Sequence, residues 1–259
     1  MTSNQHYIPR FYQRYWMCEQ SGRVWGLEKK YNNIRLKAIS KNCSRDYTYE
    51  SDPNNPNNVI DDCYYEFENK YSDLYKSLID SRNCSIKLTY EQKRLICRMF
   101  SHFSARHPYN IYEDSLPGIV TSIFTISGDE KTNEEDRFLR NAYALGQGST
   151  LEDSPGDFEE ELMTYNLQLL VSCNGDIVYS DCIIKQLYHH YEYFFPLCPH
   201  VVALFSEYIR ESDCTFRKIT NAEYERFINC FLLDDRVKNI FANKKTVLEQ
   251  LQRRIENYE

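Results

Sequence analysis

Two long stretches of this chain carry an apolar stripe with the period of an α-helix, and they limit the fold more than any other feature. In NVIDDCYYEFENKYSDLYKSLID, apolar and aromatic residues recur at 60, 64, 67, 71, 74, 75 and 78, the three-and-four spacing that buries one helix face. In TYEQKRLICRMFSHFSARHP, Leu95, Ile96, Met99, Phe100 and Phe103 form the equivalent face. Thr89 and Gln92 stand in the relation of a capping box at its start, and Pro108 stops it near Arg106. Each stripe needs a partner, and 14 Phe and 22 Tyr supply enough apolar area for a core. A tyrosine brings a hydroxyl that needs a partner, so such an excess suits half-buried surfaces and interfaces.

Strand signals lie between and after the helices. RVWGLEKKYNNIRLKAI predicts a hairpin turning at Asn32 and Asn33, and NLQLLVSCNGDIVYSD predicts two apolar strands joined through Asn174 and Gly175. EYFFPLCPHVVALFSE predicts further strand, interrupted at Pro196 and Pro199. YESDPNNPNN is a loop, LPGIVTSIFTI an unassigned apolar stretch, and the acidic segments 129–136 and 152–161 are expected as exposed helices and loops. From Thr220, which faces Glu223 in a second capping relation, two or three helices close the chain. There is no internal repeat. The expectation is one helix-rich α+β domain over 1–259 with a small antiparallel sheet, its basic helix-and-hairpin segment 1–45 packed on a helical body, 46–259.

Charge is unevenly distributed. Residues 1–45 hold nine Lys or Arg against Glu19 and Glu28, a local +7; the whole chain is at −7, so the remainder carries −14. This asymmetry points to an anionic partner for the basic part, or to its docking on the acidic body. Ten cysteines lie singly with no C-x-x-C pair, the pattern of reduced thiols, and the start of the chain lacks the apolar core of a signal peptide. No segment approaches the ~20 apolar residues of a membrane span. A cytoplasmic protein with no membrane partner is expected.

The stretch HYIPRFYQRYW concentrates chemistry at one end. Pro9 suits a first helical turn, Phe11, Tyr12, Tyr15 and Trp16 recur at helical spacing, and Arg10, Gln13 and Arg14 fall on the opposite face. His6 stands just before that helix, where backbone N–H groups and Arg10 could together grip a phosphate. Asp61 and Glu68 are seven residues apart on the first long helix and share a face, as a metal-binding or acid/base pair would; Asp62 and Glu66 are alternatives. Arg106 continues the apolar face of the second helix, so its guanidinium needs an inward partner, either an acid such as Glu68 or a ligand. Asp181 ends the strand IVYSD, a rigid support from which a polar group can be presented. His189 and His190 are adjacent and would point to opposite faces of a strand, which disfavours a shared metal. Zinc, P-loop, nucleophile-elbow and dinucleotide signatures are absent from the sequence.

These residues resemble an uncharacterised bacterial domain family of unknown function with an N-terminal signature HYVPxFYLRxF, which here reads from His6 to Tyr15. Trp25 in the first hairpin strand, the tyrosine in DYTYE, the acids of VIDD and EFEN, Arg106 with Pro108, Ser180–Asp181 and the run Phe195 to Pro199 follow in the family's order. Ile183 stands where the family usually has proline. The resemblance supplies no reaction; members found near mobile elements and defence genes imply a toxin or antiphage effector.

Three functions are consistent with this pattern. The first is a phosphate-directed hydrolase, nuclease-like, with His6, Glu68 and Asp181 catalytic, Arg10, Arg14 and Arg106 binding substrate, and Mg²⁺ or Mn²⁺ held by Asp61 and Glu68 if a metal is used. The second is a nucleotide or nucleic-acid binding module in which Tyr12 and Trp25 stack on bases. The third is an interaction subunit that joins a protein partner or a second copy.

Overall fold

The computed structural model describes residues 4–18, 21–46, 54, 59–80, 88–105, 157–183, 192–207 and 216–258. Within them lie six α-helices and three sheets, of two, four and four strands. The expectation of a helix-rich domain with one small antiparallel sheet is therefore overturned: among the described residues three sheets stand beside the six helices.

The smallest sheet pairs β1 (Asn4–His6) antiparallel with β4 (Ser44–Asp46), His6 opposite Ser44. Helix α1 (Arg10–Arg14) follows at once. The expected hairpin forms from β2 (Arg23–Glu28) and β3 (Asn33–Ala38), but it turns through a 3-10 segment, Lys29–Tyr31, with Asn32 in the left-handed region at φ 45°. Asparagine tolerates that conformation where a β-branched residue does not. The long helices α2 (Val59–Asp80) and α3 (Tyr90–Ala105) are present, and the Thr89–Gln92 box closes with reciprocal bonds of 2.9 and 3.2 Å.

Beyond α3 come α4 (Asp157–Thr164) and β5 (Asn166–Val171), then β6 (Tyr179–Ser180). The expected pairing of the last two does not occur: β6 joins the sheet β3-β2-β10-β6, whereas β5 lies in the sheet β7-β8-β5-β9. Gly175, at φ 64°, lies in the crossing segment, where the His200 ring would stand 2.7 Å from any added Cβ. Strand β7 (Glu192–Cys198) runs through Pro196 with a bulge and pairs with β8 (Val201–Ser206). A short β9 (Phe216–Lys218) pairs parallel with β5. The chain then forms α5 (Asn221–Leu232), β10 (Asn239–Ala242) and α6 (Lys245–Tyr258), with α6 packed on β2, β3 and β10.

The core is aromatic and joins every layer. Tyr12 of α1 is fully buried and meets Tyr75 of α2, Phe103 of α3, Tyr179 of β6 and Phe195 of β7, with centroids 5.3–6.3 Å apart. Its hydroxyl donates to the carbonyl of Pro196 at 2.7 Å. Tyr71, Tyr75 and Tyr179 are equally buried, so the expectation that tyrosines mark half-buried surfaces fails for the core, as does base stacking by Tyr12. Gln13, expected on the polar face, is also buried and bonds to the carbonyls of Ile8 and Asn42.

Helix α3 is buried from Ile96 to Ser104, more than the single stripe expected, because α2 and α4 flank it and Phe100 stacks on Phe195 and Phe205. Glu159 of α4, within a segment expected to be exposed, is fully buried and ion-paired to Arg98 at 2.8 Å and Arg94 at 3.3 Å. Two guanidiniums one turn apart on α3 make that burial tolerable. The described cysteines are free thiols, five of them buried. No described helix is long and apolar enough to cross a membrane.

Helix α5 starts at the capping box Thr220–Glu223, and Arg217 bonds to the Glu223 carboxylate. Burial alone would raise the Glu223 pKa; the bonds from Arg217 and Thr220 outweigh it and bring the group down to about 2 from an ordinary 4.5. A depressed carboxylate stabilises the fold above its unfolded value. That contribution is lost as pH falls from about 4.5 toward about 2. Glu223→Gln is expected to flatten the dependence of melting temperature on pH across this window, and Thr220→Ala to cost about 1 kcal/mol at neutral pH. Tyr12→Phe leaves the Pro196 carbonyl without its donor and is expected to cost about 1–2 kcal/mol in denaturant unfolding.

Candidate functional site

A cleft of about 560 Å³ opens between the N-terminal segment and α2, within the range of ~300–1,000 Å³ typical of small-molecule sites. Its lining includes His6, Arg10, Arg14 and Glu68, four residues singled out in the sequence. Asn4, Phe11, Ser40, Tyr65, Asn69 and Ser72 complete it.

Each wall follows from local structure. Alternation along β1 turns Gln5 into the core and leaves His6 half-buried. On α1, Tyr12 and Gln13 are drawn inward, and Arg10 and Arg14, one turn apart, remain exposed on the outer face. Neither guanidinium has a side-chain hydrogen bond or ion pair among the described residues. Phe11 packs edge-on against Tyr75 and Phe103, anchoring the floor. On α2, Tyr71 and Tyr75 face the core; Tyr65, Glu68, Asn69 and Ser72, at helical spacings of three and four, form the stripe toward the cleft.

Positive charge in the cleft comes from side chains and not from a helix terminus. Helix α1 is five residues long and has no side-chain cap at Pro9, so it aligns too few peptide dipoles to matter beside two full charges. His6 Nε2 lies 3.2 Å from the Ile39 carbonyl. A carbonyl only accepts, so Nε2 carries its hydrogen there, and in the neutral ring Nδ1 is the basic nitrogen. Arginine pairs at this spacing can grip an anion with several donors at once.

The other sequence candidates lie elsewhere. Asp181 does not line the cleft. It is buried at the end of β6, where its carboxylate accepts from the Lys238 and Asn239 backbone N–H groups at 3.1 and 3.0 Å and from the Asn239 side chain at 2.6 Å. Lys37 bonds to the Asn239 oxygen in turn. Burial raises the Asp181 pKa, opposed chiefly by Asn239. This is a brace that locks β6 to the entry of β10.

Arg106, Pro108, His189, His190, LPGIVTSIFTI and the segment 129–136 lie outside the described residues. Asp61 sits in α2, one turn before Tyr65, but its side chain and those of Asp62 and Glu66 are outside the described set. Among the described residues no group of three or more His, Cys, Asp or Glu could hold a metal. Glu68 is the one described carboxylate in the cleft. Trp25 is half-buried beneath Lys245. Tyr65, Asn69 and Ser72 went unnoticed in sequence; the signal that could have found them is their spacing on the face of α2 that includes Glu68.

A polar cleft built from the N-terminal segment and the outer face of α2 is thus the candidate site. The chain belongs to the family described as a protein of unknown function, DUF4238, which it matches over residues 4–147. No curated protein and no solved structure matches it. The matched region contains every lining residue and stops short of Asp181.

Asp181→Ala is expected to lower stability by about 2–3 kcal/mol, since buried donors lose a charged acceptor, and to leave anion affinity at the cleft unchanged. Denaturant unfolding and phosphate titration of the same protein check both halves.

Proposed function

We propose that the cleft binds a phosphate-containing substrate, nucleic acid or nucleotide, and that the protein is a phosphoester hydrolase of nuclease type, acting as a toxin or antiphage effector. The observation supporting this reading is the convergence of His6, Arg10 and Arg14 from the N-terminal segment with Glu68 from the distant helix α2 on one cleft. Arg10 and Arg14 hold the phosphate and stabilise the negative charge that grows on its oxygens as the nucleophile attacks. His6, through Nδ1, takes the proton of the attacking hydroxyl or water as its oxygen bonds to phosphorus; the ester P–O bond breaks on the opposite side, and the leaving oxygen takes a proton from solvent. Glu68, on the facing wall of the cleft, is the acid that orients His6. No step is routed through a metal ion.

A second reading, binding without chemistry, is favoured by the bracing geometry of Asp181, which leaves the cleft with one histidine and one described carboxylate. The same protein preparations separate the two. Incubated with single-stranded RNA and DNA, His6→Ala is expected to lose about a hundredfold or more of turnover with affinity retained. Arg10→Ala and Arg14→Ala are each expected to weaken binding and to reduce the slope of log affinity against log salt by about 0.7. Affinity and turnover unchanged in the double arginine variant would end the reading; binding without turnover in the native protein would leave the second.

A further inference from the structure

The two walls of the cleft differ in kind, and the difference says which end of a ligand goes where. The α1 wall holds two guanidiniums with no side-chain hydrogen bond or ion pair among the described residues; the α2 wall holds an aromatic ring, an amide, a hydroxyl and a carboxylate. A phosphate is attracted to the first, and the second offers it no cation. A ligand that fills the cleft therefore has an anionic end and an uncharged, hydrogen-bonding, planar end.

Tyr65 is the feature that specifies planarity. Its side chain is 66% exposed, so packing does not account for its place in the wall. Tyr31 and Tyr90 are as exposed, at 63% and 67%, but neither lines this cleft. Asn69 follows one turn later on the same face, offering a carbonyl and an amide to a base edge. The floor, Phe11, is held by its contacts to Tyr75 and Phe103, so the aromatic surface is fixed on that side too.

We infer that the α2 wall is a base-reading surface: Tyr65 stacks on an unpaired nucleobase and Asn69 bonds its edge, while Arg10 and Arg14 hold the adjoining phosphate. The ligand is a nucleotide whose base is free to leave a stack, in a single strand or as a mononucleotide, and not a duplex, whose bases are already stacked and paired. This rests on the anion-binding reading above and adds a residue pair that reading does not require. Tyr65 replaces Tyr12 as the stacking platform.

The test is fluorescence anisotropy with a labelled single-stranded oligonucleotide, competed by the unlabelled strand, its duplex, an abasic strand of equal length, a mononucleotide and inorganic phosphate. The native protein is expected to prefer the intact single strand to the duplex and to the abasic strand by about tenfold or more, and Tyr65→Ala to abolish the second preference. Tyr65→Phe keeps the ring and should keep the preference, which separates stacking from any role of the hydroxyl. Competition by the mononucleotide at one-site stoichiometry assigns the cleft to a free nucleotide as well as to a strand. Equal affinity for intact and abasic strands, with Tyr65→Ala unchanged but Arg10→Ala weakened, overturns the base-reading wall and leaves the anion site standing. Binding insensitive to both arginines overturns both.

Discussion

The position of Tyr12 governs the rest of the structure. One buried ring on a five-residue helix touches two long helices and a strand from each of the four-stranded sheets, and its hydroxyl satisfies the carbonyl of Pro196 beside the bulge in β7. A helix this short has little stability of its own, because nucleation costs more than a single turn returns. It is held by what it buries. With Tyr12 and Trp16 seated in the core and Gln13 bonded inward to Ile8 and Asn42, rotation of α1 is fixed and its arginines have one direction left.

The cleft is therefore a by-product of packing on its opposite side. On α2, buried tyrosines impose the same logic, and the polar stripe of Tyr65, Glu68, Asn69 and Ser72 is what remains outside. The N-terminal hairpin is joined to the end of the chain: β2 is zipped to β10, whose entry is braced by Asp181. Lys29 reaches across to the carbonyls of Phe231, Leu232 and Asp234, capping the end of α5. Burial lowers the Lys29 pKa, and Asp234 is the first of the charges that oppose it.

What could be read from the sequence was local. The spacings of α2 and α3, both capping boxes and the β2–β3 hairpin depend on residues within a few positions of one another, where the chain's own geometry decides. What escaped was partnership at a distance. The Asn174–Gly175 pair announces a change of direction but not which strand waits beyond it, so β5 and β6 were joined in expectation and lie in different sheets. Glu159 looked solvated because Arg94 and Arg98, which neutralise it, are some sixty residues earlier. Three of the site residues, Arg10, Arg14 and Glu68, were legible because aromatic spacing leaves α1 and α2 one polar face each; His6 was legible from its place just before α1. Asp181 was a polar residue at a strand end, and nothing in the sequence distinguishes a brace from a catalyst there.

The pairing of β2 with β10 carries a consequence for the family-matched segment. Residues 4–147 include β2 and its hairpin partner β3, but β6 and β10, which complete that sheet, lie past position 178, as does the Pro196 carbonyl that receives the Tyr12 hydroxyl. A fragment ending at 147 would leave β2 with an open row of backbone donors and acceptors, a template for self-association. The matched segment thus holds every residue that lines the cleft, while the strands that flank β2 on one side and the acceptor for Tyr12 lie beyond it.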